Sequence, residues 1–182
     1  MVQAPTGRSL VDLARSGDAA AFESLVRSRM DAMYRLSLAI LGDEADAADA
    51  AQQTFVAVWR ELPHLRDLDR FDAWLGRIAV NSCRMALRAR GRRRIRELPM
   101  AELGATDEAT LAGAAAARPD AEILRPAIRR LSLDQRAILA LHHLEGRPVS
   151  EIAETLRVPV GTAKSRLFNA RAALARALRQ EE

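Results

Sequence analysis

Four residues share one face of the stretch WLGRIAVNSCRMALRARGRRRIR, residues 74–96: Arg77, Asn81, Arg84 and Arg88. At about 100° per residue they fall within roughly 60° of one another on a helix. Guanidinium groups in a row suit phosphate oxygens, which arginine grips in a bidentate way. An amide set among them offers both a donor and an acceptor, which suits a base edge. The alternative is a solvated basic helix end, in which Asn81 has no task. A second set lies toward the other end of the chain. Thr162, Lys164, Ser165, Phe168, Asn169 and Arg171 occupy the face opposite an apolar stripe of Ala163, Leu167, Ala170 and Leu174. Such side chains suit phosphates and base edges in a major groove. Here the alternative is a helical hairpin with a solvated polar face.

Both sets need helices to hold them. Phe71 opens the first one, and Trp74, Leu75, Ile78, Ser82 and Met85 form the stripe expected to face the core. Gly76 within it should weaken the helix by about 1 kcal/mol relative to alanine. Upstream, Ser9 and Asp12 read as a capping box and Gly17 as a stop. A helix is expected from Asp18 to Leu41, with Phe22, Val26, Met33 and Ile40 near one stripe and Gly42 at its end. The next should run from Asp43 to Leu62, with Ala51, Phe55, Val58 and Leu62 inward and Pro63 closing it. Residues 63–70, PHLRDLDR, read as a polar loop. The second set sits on a predicted helix–turn–helix: Ser150 caps a short helix with Ile152, Ala153 and Leu156 inward, RVP breaks it, and a longer helix follows. Ser132 reads as the cap of a packing helix before it. Between the two regions, ELPMAELGATDEATLAGAAAARP loses all periodicity and reads as an acidic linker. No strand pattern occurs, so the fold class is all-α: two small helical domains joined by a flexible acidic linker.

Charge follows the same division. Residues 1–82 carry 9 basic and 12 acidic groups, whereas 83–96 carry seven arginines and no acid. Residues 97–122 carry one arginine and six acids, and 123–182 carry 11 basic and 6 acidic groups. Two basic patches flanking an acidic stretch suggest two contacts with a polyanion. The single Cys83 excludes an internal disulfide and a cysteine-based zinc site. No third ligand joins His142 and His143, and no phosphate-cradling glycine loop or nucleophile–base pair is visible, so neither a metal, a cofactor nor a catalytic residue is expected. No apolar run approaches the roughly 18 residues of a membrane span, and MVQAPTGRSL lacks a signal-peptide core. A cytoplasmic location is expected.

DAADAAQQTFVAVWREL, then FDAWLGRIAVNSCRMALRARGRRR, then an acidic linker, then LSLDQRAILALHHLEGRPVSEIAETLRVPVGTAKSRLFNARAAL resembles the bacterial extracytoplasmic-function (ECF, group 4) sigma factors over residues 10 to 178. The resemblance implies a domain at 1–96 (region 2), a linker at 97–122 and a domain at 123–182 (region 4). It implies an alternative sigma factor, not an enzyme, that binds core RNA polymerase and directs promoter-specific initiation in response to stress or a signal. Asp46, Asp49, Gln52, Gln53 and Thr54 would dock on the beta-prime coiled coil, with further contact to the beta subunit. Arg66, Arg70, Arg77, Asn81, Arg84 and Arg88 would read the minus-ten element and capture a flipped base. Thr162, Lys164, Ser165, Phe168, Asn169 and Arg171 would read the minus-thirty-five element. The linker would thread toward the polymerase active site and RNA exit path, which its acidity suits. An anti-sigma factor is the further implied partner, able to hold the protein at the inner membrane without stable insertion of the chain itself. The family often carries glutamate where Ala48 and Gln53 stand, a bulky residue at Gly76 and arginine at Asn169.

Overall fold

A computed structural model describes residues 7–97 and 119–180, and every regular element among them is helical. Four helices make the first half: α1 (Gly7–Arg15), α2 (Ala19–Leu41), α3 (Glu44–Glu61) and α4 (Phe71–Glu97). Four more make the second: α5 (Pro119–Arg129), α6 (Leu133–His143), α7 (Val149–Leu156) and α8 (Val160–Leu178).

Local chemistry sets most boundaries. The Asp18 carboxylate accepts from the Ala21 amide at 2.9 Å, and Asp43 does the same for Asp46 at 2.9 Å. Gly42 ends α2 at φ 72°, where a side chain would be strained, and its N–H reaches the Leu38 carbonyl at 2.8 Å. Ser132 and Gln135 form a reciprocal capping box at the start of α6. The expected caps at Ser9 and Ser150 are not caps. Ser9 lies inside α1, which already runs from Gly7, and Asp12 pairs instead with Arg15 at 2.8 Å. Ser150 lies one residue inside α7, and Pro148 takes the cap position with extended backbone. The 63–70 loop is tighter than a plain coil: Leu62–His64 and Leu68–Arg70 are single 3₁₀ turns. Helix α5 begins at Pro119, inside the stretch predicted as linker; residues 98–118 of that linker lie outside the described residues.

The core is built from Met33, Leu36 and Ile40 of α2, Ala51, Phe55 and Val58 of α3, Leu62, and Leu75, Ala79 and Cys83 of α4. Burial of such side chains contributes about 1.5–3 kcal/mol each. On α2 the stripe is centred on Leu25, Met33, Leu36 and Ile40, with Phe22 and Val26 at its margin. On α4 it is rotated toward Ala79 and Cys83, so Ser82 is only half-buried and Met85, expected inside, is 68% exposed. The reason is a second buried face on α4: Gly76 and Val80 are buried as well. What covers that face is the other half of the chain. α7 packs on α4 and α6 packs on α2, so Ile138, Leu141 and Ile152 belong to the same continuous core as Leu36 and Leu75. The two halves are thus in direct contact. A smaller cluster of Ala127, Leu131 and Ala177 holds α5 on α8.

Candidate nucleic-acid and polymerase interface

α3 and α4 pack side by side, which places two polar faces on one rigid pair of helices. On α3, Asp49, Gln52 and Gln53 are exposed. Asp46 is half-buried, and its carboxylate accepts from Arg90 of α4 at 3.3 Å. That contact ties the start of α3 to the basic end of α4. Thr54 does not share this face. It is fully buried and its hydroxyl donates to the Ala50 carbonyl at 2.7 Å, because position 54 falls on the core side next to Phe55. The exposed stripe is completed instead by Val56, three residues after Gln53 and seven after Asp49, a residue that the sequence analysis did not single out. Trp59 is exposed nearby, with its ring edge-on to Phe22 at 4.7 Å between centroids.

On α4 the row foreseen from periodicity is physically continuous. Asn81 is exposed, and its side-chain oxygen accepts from Arg84 at 2.9 Å, which leaves the amide's donor group free of that bond. The same Arg84 donates to Asp134 of α6 at 2.9 Å. Arg88 lies exposed one turn further on. Arg77 is half-buried, and its guanidinium is held below the ordinary arginine value by burial and by the nearby Arg157, with a small opposing pull from Glu61. Arg66 and Arg70 are exposed on the loop, Arg70 pairing with Asp67 at 3.2 Å. With Arg77, Trp74 and Arg157 they line an open cavity of about 730 Å³ between the 65–70 loop and the turn joining α7 to α8.

That turn is distinctive. Arg157 adopts the left-handed conformation, φ 54° and ψ 50°, alone among the described non-glycine residues. It closes α7 and lets α8 leave at once after Pro159. Along α8, Ala163, Leu167 and Ala170 face inward, while Lys164, Ser165, Asn169 and Arg171 are exposed and Thr162 is half-buried. Phe168 is 72% exposed, so its position is not explained by packing in this molecule. Arg166 is also exposed between them, a cation that the sequence analysis did not single out. The Arg171 Nε contacts the His143 ring nitrogen at 3.4 Å, and burial, His142 and Arg171 together hold His143 below the usual histidine value. Between α2, α5, α6 and α8 runs an apolar groove of about 430 Å³, lined by Leu124, Ile128, Leu139, Leu144, Leu174 and Leu178. Among the described residues no cluster of His, Cys, Asp or Glu is arranged to hold a metal ion, and no helix is long and apolar enough to cross a membrane.

Known proteins give this arrangement its relatives. The profile for Sigma-70 region 2 matches residues 25–93, and that for Sigma-70, region 4, matches residues 121–174. RNA polymerase sigma-H factor of Pseudomonas aeruginosa is 33% identical, over 94% of this chain and 93% of its own length. The chain belongs to the extracytoplasmic-function sigma factors. The ECF RNA polymerase sigma-E factor of Haemophilus influenzae is 31% identical over 94% of each chain. Among solved structures, CnrH in complex with the cytosolic domain of CnrY matches with a TM-score of 0.70 and 30% identity, covering 96% of this chain and 98% of that one. In this chain the region 2 match runs from within α2 to α4 and the region 4 match from α5 to α8.

Cys83, the one cysteine, sits in the region 2 core with no exposed surface. Burial pushes its thiol up to about 11, against weaker pulls from Ser37, Arg136 and Arg84. A thiol so placed is a poor nucleophile at neutral pH.

Proposed function

We propose that this sigma factor binds core RNA polymerase through the exposed face of α3, comprising Asp49, Gln52, Gln53 and Val56 with Asp46 at its edge. It then directs promoter-specific initiation through α4 and α8. Arg66, Arg70, Arg77, Arg84 and Arg88 hold phosphates of the minus-ten region, and Asn81 reads a base. Thr162, Lys164, Ser165, Phe168, Asn169 and Arg171 read the minus-thirty-five region. The protein carries no catalytic site of its own and works in the cytoplasm, where polymerase and DNA are. The observation that carries this reading is the row Arg77–Asn81–Arg84–Arg88 on a helix locked beside the docking helix, joined by the Asp46–Arg90 pair.

The energetics favour a division of labour. Phosphate contacts supply salt-dependent affinity. Extruding a base from the duplex costs a few kcal/mol, which stacking and backbone contacts on a single-strand surface offset. Polymerase performs the bond chemistry; the sigma factor selects where. An anti-sigma factor restrains it, which is supported by the similar CnrH being solved with the cytosolic domain of CnrY. The apolar groove between α2, α5, α6 and α8 is a suitable seat for an amphipathic helix of such a protein.

Run-off transcription with purified core polymerase on a genomic fragment library tests this reading. Discrete start sites sharing upstream elements about 10 and 35 base pairs away are expected. A library transcribed no differently from core polymerase alone would overturn it.

A further inference from the structure

Gly76 has an explanation that helix propensity does not give. It is buried in the second turn of α4, and a Cβ there would stand 3.0 Å from Arg147 Nη1, 3.3 Å from Arg147 Cζ and 3.3 Å from Thr155 Cγ2. The bare backbone at 76 is therefore the seat of a region 4 side chain. Arg147, in the loop between α6 and α7, is only 8% exposed. Its Nη1 donates to the Asp72 carbonyl at 2.8 Å, in the first turn of α4. Glu145 lies at 4.0 Å from the other terminal nitrogen of Arg147, and the Arg147 carbonyl contacts the His142 ring at 3.1 Å. A second polar contact runs parallel: Arg84 of α4 to Asp134 of α6 at 2.9 Å.

These contacts close region 4 over the side of α4 that carries the reading row. Arg77, Asn81 and Arg84 line a small hollow whose other wall is Thr155, Leu156 and Arg157. The closed pairing brings cations of both halves together, Arg77 against Arg157, which opposes closure. Geometry makes opening obligatory. Elements centred about 25 base pairs apart lie roughly 85 Å apart along B-DNA, at about 3.4 Å per step. A compact chain of this length measures about 40 Å across. Halves seated on each other cannot reach both elements at once.

We propose that Arg147 seated on Gly76, with Asp134 on Arg84, is an autoinhibitory latch that keeps the free sigma factor closed, with Arg77 and Arg84 of its α4 reading row partly covered and Arg84 engaged by Asp134, until the halves are parted. This rests on the reading of α4 as a DNA surface given above. Glycine at 76 then has a conformational purpose: the helix gives up propensity so that the arginine can lie flat against its backbone.

The test uses the full chain with one dye pair on surface cysteines introduced at Glu44 and Arg179, both exposed, since the buried Cys83 will not label. Energy transfer reads the separation of the halves. Binding of a dye-labelled, mixed-sequence single-stranded DNA 20-mer reads access to α4. Gly76→Ala adds a methyl without changing charge; Arg147→Ala removes the seated group. Each is expected to shift the label distance to longer, broader values and to tighten DNA binding about tenfold. For Arg147→Ala this gain opposes the slight loss that removing a cation would cause. Asp134→Arg, which breaks the second contact at the surface, is expected to act in the same direction and guards against misfolding of the first two; circular dichroism confirms that each variant is folded. Label distances and DNA affinity unchanged in all folded variants would overturn the latch. Separated labels with unchanged DNA affinity would overturn its inhibitory role. If the opened Gly76→Ala protein binds DNA tightly but is indifferent to Arg88→Ala, the reading of α4 as the DNA surface fails instead.

Discussion

Replacing Asn81 by alanine separates what this residue does for the fold from what it does for DNA. Its side chain is exposed and accepts a hydrogen bond from Arg84 at 2.9 Å. Losing such a bond at the surface costs about 0.5 kcal/mol, the low end for a net hydrogen bond. Alanine is the better helix former by about 0.5 kcal/mol in a helix interior. The two nearly cancel, so the midpoint of thermal unfolding should move by no more than about 2 °C. Arg84 stays anchored by Asp134 at 2.9 Å, so the cation row is not disordered by the change. The DNA-side loss is of another size. A bidentate amide-to-base contact discriminates by about 1–3 kcal/mol, which is roughly 5- to 150-fold. Promoter opening, followed by permanganate reactivity of unpaired thymines, should therefore fall at least fivefold. Loading onto core polymerase, followed by fluorescence anisotropy, should stay within about twofold, because the proposed docking face lies on α3. Opening reduced by less than twofold, or opening and loading falling in parallel, would refute the assignment of Asn81 as a base reader.

Phe168→Ala should leave stability unchanged, since the ring is 72% exposed, yet weaken protection of the upstream promoter element in a footprint by several-fold. Val56→Glu on α3 should lower affinity for core polymerase tenfold or more, the scale of a desolvated apolar contact of about 1.4 kcal/mol, while single-stranded DNA binding by the free protein is retained. Leu36→Ala, at a position with no exposed surface, should cost about 2–5 kcal/mol of stability, read by urea unfolding. The Cys83 thiol is raised to about 11 from its usual 9.0, so the neutral thiol is favoured by the folded state. Its contribution is present in full below pH 9 and is lost as pH rises toward 11. A Cys83→Ala variant should accordingly lose stability less steeply than the parent across pH 9 to 11 when unfolding is followed in urea.

Much of region 2 was legible because local rules and tertiary packing agree there. Asp18, Gly42 and Asp43 bound their helices as their chemistry requires, and the α3 stripe of Ala51, Phe55, Val58 and Leu62 is buried as periodicity demands. Misreadings arose where a second partner intervened. On α4 the wheel has one apolar stripe but two buried faces, and only the contact with α7 explains why Gly76 and Val80 are buried while Met85 is not. The resemblance put Thr54 on the docking face, but its hydroxyl is satisfied within its own helix, so it can point inward. Val56 and Arg147 carried no signal that a single sequence displays; the nearest hint was a glycine in a helix with no turn to make. Arg157 in a left-handed turn was equally hidden, since arginine has no preference for that conformation.

The Arg147–Gly76 and Arg84–Asp134 contacts bear on how such proteins can be recombined. Promoter selectors are attractive parts for building orthogonal gene circuits, and the linker is the natural cut point for exchanging one half between two factors. Here, however, the halves meet through a side chain on one and a vacancy on the other. A chimaera that joins this region 4 to a region 2 with a bulky residue in place of Gly76 would have nowhere to seat Arg147. It would be expected to stand open and bind DNA as the free protein, as Gly76→Ala is. Leakiness in such chimaeras would then have a local remedy: restore the glycine before redesigning α4 or α8.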